Sequence, residues 1–488
     1  MKNILFIGVD QLRHDVVGPH KSVPVESPNI DRLIADGVSF DRTYATSPLC
    51  TPSRASMFTG DYAFRHGMGT NCDMYHALGT ELADPDRLLH KELARAGYRC
   101  GFVGKWHVGV ARSPADYGFD SEAPAGYGNL ARTDEFNCYL AKNGLRYSVE
   151  PTLFFNPDHQ TMAAGRWRGP VESTTCYYQT EQAMEKLDKY ADGDAPFYLS
   201  VQYWDPHGPH LIPDAYWKKT DRSKISVWDN FDDDLSTKPA RVKRERDDFY
   251  RSHPRKASEL IEYIGLYCDH VALLDSQVGR LLAHLDALGL TEDTLVVFTS
   301  DHGDMTGAHG GLIDKGLPYE EAMRVPMIFS NPGLKPQKLD ALALNMDILP
   351  TAMGLIGVKA EGRQAMDLSG LVSGTSDQAR PYLLAEYHGL RFLFSQRVLV
   401  SVDNWKFIFS PGDYDELYDL NTDPGERVNL VDAPQAQTKL HQMRTALISE
   451  TAKFDDPLRD CVAKFNGQWR TNSGQFDATA DILSVDPQ

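Results

Sequence analysis

Short apolar runs rich in β-branched and aromatic residues alternate, over the first 350 positions, with longer segments whose apolar residues recur every three or four positions. The first kind predicts strands at Ile4–Val9, Arg99–Val103, Phe197–Tyr203 and Leu295–Ser300. The second predicts helices at Ile30–Asp36, Arg54–Phe58, Arg87–Ala96, Thr175–Tyr190 and Ala257–Leu288, the last two with the clearest 3.6-residue period. Buried strands separated by helices are the pattern of an α/β fold built on a mostly parallel sheet flanked by helices. Two stretches break the alternation. Residues 117–174 are rich in aromatics, Gly and Pro, and 218–256 joins an acidic cluster (Asp229 to Asp234) to a basic one (Arg241 to Arg246). A solvated charged insertion is the simpler reading of each. Their nearness to strand ends makes a pocket wall or a subunit contact the alternative. Beyond the Pro350-Thr351 turn and a Gly/Ser/Thr-rich stretch near 369–377, short strands follow at Leu393–Val402, Trp405–Ser410 and Glu416–Asp419. The chain therefore divides into a large α/β domain over 1–375 and a smaller C-terminal α+β domain with its tail over 376–488.

Length and charge narrow the possibilities. At 488 residues the chain exceeds what one ordinary core organises. A formal charge of -18 disfavours a general nucleic-acid binder, which needs basic faces, and also a long polysulfated partner. The opening apolar run ends at Asp10, too short for an export signal or a membrane span, so it reads as a buried strand. Seven cysteines at 50, 72, 100, 138, 176, 268 and 461 show no paired spacing, which predicts a reducing, cytoplasmic location without disulfides.

Chemistry concentrates just after predicted strands. Asp10-Gln11 ends the first, Lys105-Trp106-His107 follows Val103, Asp205-Pro206-His207 follows Tyr203, and Asp301-His302-Gly303-Asp304 follows Ser300. Ligands bind beyond the carboxyl ends of strands in open parallel sheets, so four such sets predict one active site. Asp10, Gln11 and Asp301 offer hard oxygen ligands and His302 a nitrogen, a set suited to a divalent cation holding an oxyanion. A polar turn would also explain Asp301-His302-Gly303 alone; the pairing with Asp10 favours the cation. Cys50 lies just before a helix expected to start near Ser53, where free N–H groups favour an anion. Arg54 stands beside it as a bidentate clamp.

The run Cys50-Thr51-Pro52-Ser53-Arg54 with Gly60 resembles the signature of the type I sulfatases of the alkaline phosphatase superfamily. The resemblance extends over residues 3 to about 357 and resumes at Glu416-Leu417-Tyr418-Asp419, through Pro424. It implies an alkaline-phosphatase-like fold and oxidation of Cys50 to formylglycine by a maturation enzyme that reads C-x-P-x-R. The aldehyde hydrate then supplies the nucleophile. By the same resemblance Asp10, Gln11, Asp301 and His302, with residue 50, hold one divalent cation, calcium by preference and manganese as the alternative. Arg54 holds the hydrate, Lys105 and Lys315 bind sulfuryl oxygens, His107 acts as a base and His207 protonates the leaving oxygen. The Asp-Gln pair departs from the common Asp-Asp and resembles the choline-sulfatase-like and phosphonate-monoester-hydrolase-like branches. The Lys105–His107 pair favours sulfate. The expected function is arylsulfatase-like hydrolysis of small sulfate monoesters, with phosphonate monoester or phosphodiester hydrolysis as the alternative. A silent anion-binding relative with unmodified Cys50 is the alternative from another class. Neither nucleic acid nor membrane is an expected partner, and a homo-oligomer is left open.

Overall fold

The computed structural model describes residues 2–154, 161–249 and 256–464; residues 155–160 and 250–255 of the two insertions, and the tail from 465, lie outside the described residues. The fourteen strands among the described residues are β1 (Asn3–Val9), β2 (Val38–Tyr44), β3 (Arg99–Gly104), β4 (Ser148–Phe154), β5 (Met162–Arg168), β6 (Phe197–Gln202), β7 (His210–Pro213), β8 (Thr294–Ser300), β9 (Met327–Ser330), β10 (Gln337–Leu344), β11 (Tyr382–Tyr387), β12 (Gln396–Ser401), β13 (Trp405–Phe409) and β14 (Glu416–Asp419). Seven of them form one sheet in the order β10-β2-β9-β8-β1-β6-β3. Every pairing in it is parallel except the two made by β9.

β1 explains why the sheet sits at the centre. Ile7 lies opposite Val201 of β6 and Phe298 of β8, and β1 is buried along its whole length. Successive side chains of a strand point to opposite faces. Thus Ile4 and Phe6 join Phe58, Phe102 and Val297 on one side, while Leu5, Ile7 and Val9 join Leu199, Phe298 and Leu274 on the other. The helix Ala257–Ala287 covers the second face with Leu260, Ile264, Val271, Val278 and Leu285. Burying each such side chain is worth about 1.5–3 kcal/mol, so both faces are strongly specified.

β11 to β14 form an antiparallel four-stranded sheet at the C-terminal end. Leu383, Leu399, Phe407 and Leu417 pack there with Leu440, Met443 and Leu447 of the helix Gln437–Lys453. The same buried cluster takes in Tyr319, Met323 and Leu344 from the larger part, so the α+β unit is docked through a continuous apolar core.

Several expected elements differ. The helix placed at Arg54–Phe58, with Cys50 ahead of it, starts at Cys50 itself: Leu49 is the N-cap and accepts from the Ser53 N–H at 3.1 Å. The helix placed at Arg87–Ala96 is a 3-10 turn at Pro85–Arg87 followed by a helix at His90–Arg95. The Leu89 N–H between them donates to the Phe58 carbonyl at 2.8 Å, diverting the backbone. The strand placed at Leu393–Val402 shortens to β12, and β11 precedes it unannounced. The stretch 117–174 is no plain solvated insertion, since its β4 pairs with β5, and β5 with β7, in a third sheet. The stretch 218–256 docks on the C-terminal unit: Lys238 donates to the Tyr418 hydroxyl at 3.0 Å and Arg427 to the Asp229 carbonyl at 2.9 Å.

Candidate active site

β8, β1, β6 and β3 are consecutive neighbours, and their carboxyl ends deliver Asp301, Asp10, the Trp204 to His207 turn and Lys105 to one edge. Cys50 heads a helix that is buried throughout and joins them there. Its sulfur lies 3.2 Å from His302 Nε2, 3.7 Å from Lys105 Nζ and 3.9 Å from Asp10 Oδ1. Ligand atoms of Asp10, Cys50, Asp301 and His302 all fall within 4.8 Å of one another, and all four residues are buried. Two carboxylates and an imidazole at that spacing suit a divalent cation.

Cationic side chains enclose the cluster. The Arg54 guanidinium donates to Asp301 Oδ2 at 2.8 Å, to the Lys105 carbonyl at 3.0 Å and to Gln202 Oε1 at 3.3 Å, and its Nη2 lies 3.5 Å from Asp10. Lys105 is paired with Asp10, and its ammonium sits 4.8 Å and 4.2 Å from the Tyr127 and Trp204 ring centroids. Lys315 Nζ lies 2.5 Å from His207 Nε2 and donates to Gln11 Oε1 at 3.0 Å. His107 Nε2 lies 3.0 Å from Asp73. Cys50, Arg54, Lys105, His107, His207 and Lys315 are therefore one assembly. Gln11 is strained into the left-handed region, with φ at 66°. Its N–H donates to Asp301 Oδ1 at 3.1 Å, and its carboxamide is engaged by Lys315, Asp304 and Asp314.

Burial opposes ionisation of the Cys50 thiol, yet Lys105, Lys315 and His302 outweigh it and hold the thiol well below its usual range. Burial and Cys50 push Asp10 up, but Lys105, His207 and Arg54 win and leave it lowered. Asp301 moves up, through burial and the nearby Asp10 charge. His302 is raised to about 9, Asp301 and Cys50 overcoming its burial. The site thus concentrates positive charge around residue 50, as an anion-binding pocket requires.

Sequence reasoning passed over several contributors. Asn345, just after β10, donates to Ser53 Oγ at 2.7 Å and to the Asp301 carbonyl at 2.9 Å. Tyr127 lies between Gly126 and Gly128, which have φ of 68° and 66°, and its ring meets His107 and Trp204 edge-on at 5.1 and 4.4 Å. Paired left-handed glycines around an aromatic were the available signal. Beside His207 opens a cleft lined by Leu130, Trp167, Thr174, Trp204, Asp205 and Leu211. The first insertion supplies its far wall, so that stretch is a pocket wall.

The sulfatase family model matches residues 2–358. The chain belongs to the sulfatase family. A second model, the C-terminal part of N-sulphoglucosamine sulphohydrolase, matches residues 307–453. The chain is 31% identical to an uncharacterised Escherichia coli sulfatase, YidJ, over 98% of itself and 91% of that protein. It is 25% identical to a Clostridium perfringens arylsulfatase, over 94% and 96% of the two chains. Among solved structures, a phosphonate monoester hydrolase from Silicibacter pomeroyi superposes with a TM-score of 0.78 at 22% identity, covering 94% of this chain and 96% of that one, which shows the shared alkaline-phosphatase-like fold. This sulfatase is a hydrolase of sulfate esters.

Two buried nitrogens of the sulfatase site, Arg54 Nη2 and His107 Nδ1, lack hydrogen-bond partners. Orphaned groups of this kind cost about 1–3 kcal/mol each.

Proposed function

We propose that this sulfatase hydrolyses small sulfate monoesters with Cys50 converted to formylglycine and with one divalent cation held by Asp10, Asp301 and His302 beside residue 50. Gln11 is the fourth protein ligand in this reading. The observation that carries it is the buried, cation-rich pocket around Cys50, in which Arg54 Nη2 and His107 Nδ1 lack a hydrogen-bond partner. Formylglycine would supply an oxygen nucleophile, and the cation, calcium by preference and manganese as the alternative, would supply a Lewis acid for the sulfuryl oxygens. Lys105 and Lys315 hold those oxygens and offset their growing charge. Arg54 keeps Asp10 and Asp301 in place and offers Nη2 to residue 50. His207 protonates the departing alcohol oxygen, with Lys315 turned to the sulfuryl oxygens. His107 accepts a proton at Nδ1 when sulfate leaves. The cleft beside His207 takes the alcohol.

Cys50 has no exposed surface, so the maturation enzyme must reach its motif before the chain has folded. Seven free cysteines support a reducing, cytoplasmic setting. Mass analysis of the residue-50 peptide tests the modification, and intact thiol in active protein would defeat it. Parallel kcat/KM values on aryl sulfate and aryl phosphonate esters test the substrate, and preference for phosphonate would overturn the sulfate reading.

A further inference from the structure

The proposed reaction asks His107 to take a proton at Nδ1, and a histidine does that reliably when something fixes its other nitrogen. The loop of residues 70–73, to which no role has been given so far, supplies that partner. His107 Nε2 lies 3.0 Å from Asp73 Oδ1. Two further contacts fix the loop against the start of the Cys50 helix. The Thr51 N–H donates to Asn71 Oδ1 at 3.1 Å, and the Cys72 N–H donates to Thr51 Oγ1 at 3.2 Å. Thr51 Oγ1 itself donates to the His107 carbonyl at 2.8 Å. Residue 51 thus ties together the loop, the base and residue 50. His107 is also held with φ at 53°, a strained conformation for a residue with a side chain.

We propose that Asp73 is the positioning residue of His107, completing a line from residue 50 through the imidazole to a carboxylate at the surface. The inference rests on the formylglycine reading. A carboxylate accepts, so the neutral ring carries its hydrogen on Nε2 and turns the Nδ1 lone pair inward, the form a base needs. When sulfate departs, the O–H pair of residue 50 becomes a C=O bond and the proton goes to Nδ1. Sulfate leaves with the electron pair of the bond that breaks. The imidazolium shares its Nε2 hydrogen with Asp73. His107 is wholly buried, whereas the Asp73 side chain is 40% exposed, so the proton has a short route from Nε2 to water.

The alternative is that Asp73 is an ordinary half-exposed ion pair, worth little. Two readouts separate the cases. The first needs no turnover: imidazole nitrogen NMR on the Cys50→Ala protein. Hydrogen on Nε2 of His107 is expected with Asp73 present, a mixture of tautomers in Asp73→Ala, and recovery of the Nε2 form in Asp73→Asn, which keeps an acceptor oxygen. The second is rapid-mixing kinetics of mature enzyme on an activated aryl sulfate. Asp73→Ala should release the first equivalent of phenol at the parental rate and then slow about 10- to 100-fold in the steady state, the usual cost of losing a partner that orients a histidine. An unchanged tautomer, or equal slowing of the first and later turnovers, overturns the proposal. If residue 50 proves unmodified, the NMR arm still decides whether Asp73 sets the tautomer, and the failure then lies with the formylglycine reading.

Discussion

Replacing Arg54 tests how the site holds its charges. Its guanidinium is fully buried and bridges two buried carboxylates, at 2.8 Å to Asp301 and 3.5 Å to Asp10, while also donating to the Lys105 carbonyl and Gln202. Removing one partner of a buried ion pair costs about 3–5 kcal/mol, because the other charge stays buried without compensation. A neutral hydrogen bond would cost about 0.5–1.5 kcal/mol. Asp10 retains Lys105 in Arg54→Ala, so the uncompensated charge falls on Asp301, which burial and Asp10 already push toward its neutral form. The prediction is therefore a cycle. Arg54→Ala should cost about 3–5 kcal/mol in the parent and about 1–2 kcal/mol in an Asp301→Asn background, since the stranded charge is gone. Arg54→Lys should fall between, keeping charge but losing the two-pronged geometry. Urea unfolding of chelator-treated protein, followed by tryptophan fluorescence, gives the four free energies. An equal cost in both backgrounds would refute the account of Asp301 as the group that Arg54 neutralises.

Four further outcomes are expected. His207→Ala should slow esters of poorly leaving alcohols by about 10²–10⁴ and spare those of acidic phenols; a uniform loss across a leaving-group series would reassign the acid. Asp10→Asn and Asp301→Ala should both lose the bound cation by elemental analysis, whereas a full complement of metal in either would remove that residue from the ligand set. Leu211→Trp, which fills the cleft beside His207, should raise KM about tenfold or more for bulky aryl sulfates and leave a small alkyl sulfate unchanged; parallel effects on both would place the alcohol elsewhere. Burial pushes the Asp415 carboxyl up to about 7, against the Ser410 N–H and Arg444. A folded value above the unfolded one gives stability that is whole below about pH 4 and lost as pH rises through about 7. Relative to Asp415→Asn, the parent should therefore lose on the order of 2–4 kcal/mol between those limits, and parallel denaturation profiles would show that Asp415 stays charged.

Four of the reactive residues that the sequence disclosed in this sulfatase lie just beyond an apolar run. Asp10 follows β1, Lys105 follows β3, His207 follows β6 by a short turn and Asp301 follows β8, so the strand pattern and the chemistry point to the same edge. The parts it concealed instead bury polar side chains. Thr51 and Ser53 look like residues ahead of a helix. Both are buried inside its first turn, their hydroxyls donating to the His107 and Asp301 carbonyls at 2.8 and 2.5 Å, and the helix therefore begins at Cys50. β2 escaped detection for the same reason: Ser39, Arg42 and Thr43 interrupt its apolar positions, yet all three are buried. Asp73 reaches His107 across 34 residues with no periodic pattern between them. Polar groups drawn into the interior cost free energy unless partners meet them, and here those partners are the backbone and side chains that hold the active-site edge. A break in the alternation next to a reactive residue is thus itself a signal, marking where the chain gives up local consistency to position its chemistry.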